Sequence, residues 1–414
     1  MPDSFRPTRR QFVIGGLASA TVVGAAAAGY ETHPLQRWLH GDGDELHAGS
    51  GVLVLVTLYG GNDGLNTVVP IADARYHDRR AALAVAPEKA LALDHQLGLH
   101  PSLAGFHDLW KKGHLAIVRG VGYPNPNRSH FVSMDIWQSG VPDRPVPTGW
   151  LGRWLDKTGT GPLRAMVMGP TVPRALMGAN GMATAIPSGS LALPGGDRTA
   201  RLVADMARPD PGASPLAAEI ARSESDFVAV QGTIGQALGA SQPNGAAPSS
   251  GAGNANNPLA SQLDTVRALI EAGVPGRVYS VSLSGWDTHA NQSGPHARLL
   301  AQLDGAVSGF LSSLAGKPHA KAVTVAVYSE FGRRVAANAS GGTDHGTAAP
   351  LFVAGPAVKG GFYGEQPSLA ALDANGDLTS TVDFRSVYST LLSGVLGAHP
   401  DVAIDGRFPA LGFV

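Results

Sequence analysis

The run Val52-Leu53-Val54-Leu55-Val56-Thr57-Leu58-Tyr59, closed by Gly60-Gly61-Asn62-Asp63-Gly64, decides the fold. It is continuously apolar and rich in β-branched residues, with no polar alternation. Such a run marks a strand buried on both faces, as in a parallel sheet covered by helices. Similar runs recur at 115–121, 165–168, 278–283, 322–328 and 350–354. Between them lie helical patterns, such as Leu299, Leu300, Leu303, Val307, Phe310, Leu311 and Leu314, whose spacing draws one apolar face. Strands alternating with helices predict an α/β layered fold: a mostly parallel sheet with helices on both faces.

Composition narrows the function. The chain has 414 residues, with 31 Lys+Arg against 32 Asp+Glu, and its charges are scattered. It presents no basic field for nucleic acid. The absence of cysteine excludes thiolate zinc sites, iron–sulfur clusters and a cysteine nucleophile. At the N-terminus, Thr8-Arg9-Arg10-Gln11-Phe12 precedes a mildly apolar run rich in Gly and Ala. This resembles a twin-arginine export signal over residues 1–30, and Gly24, Ala26 and Ala28 suit a signal peptidase. The run is short for a spanning helix, so no stable membrane span is expected. Export by the twin-arginine machinery implies a periplasmic or extracellular protein. A polar linker comes next at 31–50, and the folded domain is expected over 51–414. Within it, the helical 200–238 and the Gly/Ala/Ser/Asn-rich 239–258 read as an insertion at about 200–258 that ends in a flexible loop.

In an open α/β sheet, ligands bind beyond the carboxyl ends of the strands. The residues just past each strand are therefore informative. The first strand leads into Asp63, the second into Arg128-Ser129-His130, the 278–283 strand into Asp287-Thr288-His289, and the 322–328 strand into Glu330-Phe331-Gly332-Arg333. Asp344-His345 stands just before the 350–354 strand. Carboxylates and imidazoles without thiolates suit a divalent ion such as Zn or Mn. Each piece alone also fits a bland role: a tight turn at Gly60-Gly61, a surface pair at Asp287 and His289, a solvated loop at Asp344-His345.

Seven segments carry a resemblance: LYGGNDGLNTVVP, RSHFVSMDIWQSG, GWLGR, LSGWDTHANQ, SEFGRRV, GTDHGTAAP and TVDFRSVY. Together they resemble the domain-of-unknown-function 1501 family of exported bacterial proteins, grouped with the alkaline phosphatase and sulfatase superfamily. The resemblance implies an alkaline phosphatase-like fold and one or two divalent ions held by Asp63, Asp287, His289, Glu330 and His345. It also implies Ser129 as a hydroxyl nucleophile; for a small anionic ester substrate, Arg128 or Arg333 would then clamp the remaining oxygens by bidentate contacts. Two departures stand out: Phe331 replaces the histidine expected after Glu330, and the Asp287-x-His289 spacing is compressed. His130 and Asp344 are the candidate substitutes. Two roles stay open for Ser129, nucleophile and helix N-cap. Two functions likewise stay open: a metal-dependent hydrolase of phosphate or sulfate esters, and a non-catalytic binding or assembly protein that keeps the superfamily fold.

Overall fold

A computed structural model describes residues 51–159, 161–187, 196–206, 212, 214–240 and 257–414. The export signal at 1–30, the linker at 31–50 and residues 241–256 of the predicted loop lie outside the described residues.

The central strand is β1 (Val52–Tyr59), buried along nearly its whole length. Alternation sends its side chains to two separate cores. Val52, Val54, Val56 and Leu58 join one cluster, and Leu53 and Leu55 the other. Around it the sheet contains β2 (Leu115–Gly122), β3 (Ala165–Met168), β4 (Thr184–Ile186), β5 (Val278–Ser284), β6 (Val323–Ser329), β7 (Ala349–Ala354) and β8 (Gly361–Tyr363), in the order β8-β2-β7-β6-β1-β5-β3-β4. The two-residue β9 (Val382–Asp383) also pairs with β2. Every pairing in this sheet is parallel except the two made by β7, which runs against both β2 and β6.

The helices are α1 (Gly64–Thr67), α2 (Ala74–Arg80), α3 (Ala104–Lys111), α4 (His130–Ser139), α5 (Trp150–Thr158), α6 (Gly196–Met206), α7 (Pro215–Ala240), α8 (Pro258–Glu271), α9 (Ser293–Leu314) and α10 (Phe384–Thr390). Residues of α3, α8 and α9 fill the core with Val54 and Val56, while those of α4, α5 and α10 fill the core with Leu53 and Leu55. The expected α/β architecture, helices on both faces of a mostly parallel sheet, is what the chain adopts. Within the predicted loop, Gly239 and Ala240 complete α7, and Asn257 caps α8 by accepting from Ala260 N–H at 3.2 Å. Among the described residues no helix is long and apolar enough to cross a membrane.

Because β7 is reversed, the segment that enters it lies at the same sheet edge as the segments that leave β1, β2, β5 and β6. Gly60 and Gly61 draw these segments together. Their φ values are +123° and +75°, a region that favours glycine. A Cβ on Gly60 would stand 2.5 Å from the Asp287 nitrogen, and one on Gly61 would stand 2.3 Å from the Phe331 ring. No side chain fits at either place.

Candidate metal centre

Four predicted residues meet at this edge. Asp287 Oδ1 lies 2.9 Å from His289 Nε2, 3.1 Å from His345 Nε2 and 3.5 Å from His130 Nε2. His289 Nε2 and His345 Nε2 face each other at 2.9 Å. The ligand atoms of His130, Asp287 and His345 all fall within 4.8 Å of one another.

The far side of each ring explains the arrangement. His345 Nδ1 is 2.8 Å from the Arg128 carbonyl, His289 Nδ1 is 3.2 Å from Asp344 Oδ1, and His130 Nδ1 is 2.8 Å from Glu330 Oε1. All three partners accept, so in the neutral rings Nδ1 carries the hydrogen and Nε2 presents a bare lone pair. Three lone pairs and a carboxylate oxygen thus face one another, opposed by a single donor, Arg333 Nη2 at 2.7 Å from Asp287 Oδ1. His130 Nε2 is buried and forms no hydrogen bond. Metal-binding histidines are held in just this way, through the nitrogen opposite the metal. Four ligands with bonds of ~2.0–2.1 Å would stand roughly 3.3 Å apart at tetrahedral corners. The separations from Asp287 Oδ1 bracket that value, and His130, Asp287 and His345 form the group that could hold a divalent ion, with His289 Nε2 close to Asp287 and His345.

Charge agrees with this geometry. Partial burial works against the charge of Asp287, but the hydrogen bond and the positive charge of Arg333 override it and hold the carboxyl down to about 2. Burial lowers the pKa of His345, although the neighbouring Asp287 carboxylate works the other way, and so favours the neutral ring. The hydrogen bond from Asn338 leads in keeping Asp344 below the usual carboxylate range.

The other predicted residues lie elsewhere. Glu330 and Asp344 stand behind His130 and His289 as acceptors. Asp63 does not share the convergence. It is fully buried, its Oδ2 is taken by Arg80 Nη1 and Gln292 Nε2, and its Oδ1 accepts from Asn66 N–H at 3.4 Å. Burial opposes the charge of Asp63, and Arg80 overrides that penalty to keep its pKa low.

Both arginines are already paired. Arg333 is buried, and besides Asp287 it donates to the carbonyls of Gly60, Gly61, Trp286 and Thr343. Arg128 is held by Asp377, which is itself fully buried. Ser129 occupies the N-cap position of α4, yet its hydroxyl makes no cap bond, and the residue is exposed beside His130. Sequence reasoning missed Arg80, Gln292, Asn338 and Asp377. Of these only Gln292 stood inside one of the seven family-like segments.

Beside His130 and Asp287 opens a cleft of about 550 Å³, bordered also by Glu330. The candidate metal centre therefore has one accessible side, the feature that separates a reactive site from a closed structural one.

Comparison with known proteins supplies a lineage. A family model described as "Protein of unknown function (DUF1501)" matches residues 51–395. The chain belongs to that family. This DUF1501 member also resembles several solved structures. One, from Vibrio parahaemolyticus, is a protein in the alkaline phosphatase superfamily: 8% identity, TM-score 0.39, 87% of this chain and 70% of that one. A TAB5 alkaline phosphatase mutant with Mg bound shows 12% identity and a TM-score of 0.33 over 77% and 95% of the two chains. A 2-O GAG sulfatase shows 12% identity and a TM-score of 0.28 over 75% and 65%. These are likenesses of chain course alone, and the α/β assignment stands on the sheet order and register. No curated protein matches the DUF1501 chain.

Proposed function

We propose that the protein is an exported, metal-dependent hydrolase of phosphate or sulfate esters. The observation that carries this reading is the convergence of three Nε2 atoms on Asp287 Oδ1, each ring fixed through Nδ1, at the mouth of an open cleft. The ester class comes from the motif resemblance.

His130, His289, His345 and Asp287 would hold one divalent ion, which supplies Lewis acidity toward the ester's oxygens. Arg333 fixes Asp287 and the loops around it. Ser129 stands one residue from His130 with its hydroxyl uncommitted. Its oxygen would attack phosphorus or sulfur, the bond to the alcohol oxygen would break, and the proton given up by serine would leave with the alcohol. Water would then release the inorganic anion and restore the serine hydroxyl. Asp63, neutralised by Arg80, takes no part.

One observation favours the non-catalytic alternative: Arg333 is buried on its acceptors, Arg128 is tied to Asp377 and Arg174 is paired with Asp135, so no unpaired guanidinium faces the candidate metal. Elemental analysis, together with turnover of p-nitrophenyl phosphate and p-nitrophenyl sulfate, separates the two readings. The hydrolase reading expects retained metal, lost in His345→Ala, and turnover lost in Ser129→Ala with the metal kept. Retained metal with no turnover of either ester would leave a binding protein.

A further inference from the structure

The cleft beside the metal centre has a composition of its own. One wall presents Phe131, 89% exposed although it adjoins His130, and Met134 one turn further along α4. A large aromatic ring so fully exposed has its whole face free for contact. Tyr59 lines the same cleft. Between and beyond these apolar surfaces stand Gln138, Asp135 and Arg174.

Gln138 is only 8% exposed and donates one long bond, 3.4 Å, to the Tyr59 hydroxyl. Its carbonyl oxygen takes no donor among the described residues. Asp135 and Arg174 pair at 2.9 Å and are each about one-third exposed, and Arg174 is braced by the Val146 carbonyl at 2.8 Å. The cleft thus offers both donors and acceptors, held by their neighbours, together with an exposed aromatic ring.

This excludes two substrate classes. A purely aryl or alkyl group would bury the Gln138 carbonyl oxygen without giving it a donor and would strip water from the Asp135–Arg174 pair, which is costly. A polyanion would meet one cation already neutralised by Asp135, alongside the carboxylates Asp287 and Glu330. What remains is a neutral ring whose hydroxyls each donate and accept and whose C–H face can lie on Phe131. We propose that this cleft binds a sugar ring, so that the ester hydrolysed is a monosulfate or monophosphate carried on a neutral sugar. This deepens the hydrolase reading and rests on it. The cleft volume, about 550 Å³, falls within the ~300–1,000 Å³ range of small-molecule sites.

The test uses methyl glucoside 6-sulfate and 6-phosphate, methyl sulfate and methyl phosphate as ring-free counterparts, and unesterified methyl glucoside as a binding probe followed by saturation-transfer NMR. The sugar esters should be preferred over the ring-free esters. That preference, as a ratio of kcat/KM, should fall about tenfold in Phe131→Ala, through KM. Asp135→Asn should lower it as well. Phe131 is exposed, so an unchanged thermal melt confirms that Phe131→Ala still folds. If esters are cleaved with no preference for the sugar, or p-nitrophenyl esters are preferred and Asp135→Asn is silent, the cleft proposal is overturned while the hydrolase stands. If no ester is cleaved, yet methyl glucoside shows saturation transfer that Phe131→Ala abolishes, the hydrolase reading fails and the sugar site stands. With neither turnover nor transfer, both fall.

Discussion

His296 should make the fold acid-sensitive within a defined window. It lies in the first turns of α9, fully enclosed, with Nε2 3.0 Å from Asn62 Oδ1. Asn62 Oδ1 accepts, so Nε2 carries the hydrogen and the neutral ring satisfies the bond. Burial depresses its pKa to about 4; Asp63 opposes the shift, while His100, Arg80 and Arg333 reinforce it. Unfolded, the same ring titrates near 6.5. Below that value the unfolded chain binds a proton that the folded chain refuses, so stability is full above about pH 6.5 and declines until about pH 4. At ~1.4 kcal/mol per unit the whole window is worth about 3 kcal/mol, of which roughly 2 is lost by about pH 5.

The depressed carboxylates Asp63 and Asp287 act lower, since their contribution begins to fall only near their unfolded pKa of 3.8. Guanidinium unfolding at about pH 7 and about pH 5, with chelator present, reads the difference. His296→Gln keeps an N–H for Asn62 and removes the titration. The variant should therefore lose roughly 2 kcal/mol less than the parent over the same interval. Equal losses in the two proteins would refute the argument.

Four further outcomes are expected. Arg80→Met strands a buried Asp63 carboxylate and should cost about 3–5 kcal/mol in denaturant unfolding, with part of the loss recovered by adding Asp63→Asn. Glu330→Gln weakens the acceptor behind His130 and should lower zinc affinity by about 10–100-fold in a chelator competition titration; an unchanged affinity would detach His130 from the metal. Gly152→Ala would place a Cβ 2.1 Å from the Met177 carbonyl carbon and should destabilise by about 1–3 kcal/mol in thermal melts. Arg9→Lys with Arg10→Lys should hold precursor in the cytoplasm on cell fractionation, whereas normal periplasmic yield would count against twin-arginine export.

The sheet was legible wherever a strand is long and buried on both faces. The expected runs at 165–168 and 278–283 coincide with β3 and β5 to within a residue, because unbroken apolar stretches need no partner to be recognised. The short β4, β8 and β9 have three, three and two residues, too few to draw a period. For the site, position after a strand told which residues reach the edge but not where their side chains turn. Glu330 and Asp344 reach it and then face away, each toward a histidine. Asp63 reaches it and turns to Arg80, seventeen positions along the chain, a pairing that no motif or spacing marks. His130 enters the family pattern only as a substitute for the histidine missing after Glu330, whereas the start of α4 carries its ring into the convergence.

The engagement of Arg333 has a consequence for how this edge can open. A single guanidinium joins the turn after β1 through Gly60 and Gly61, the turn after β5 through Trp286 and Asp287, and the approach to β7 through Thr343. Releasing any one segment leaves a buried cation short of acceptors, so the three segments should detach together rather than one by one. Amide protons across them should then share one opening free energy in native-state hydrogen exchange, as a single cooperative unit. Substrate entry would have to use the cleft as built, with the walls of α4 giving way in place of the floor.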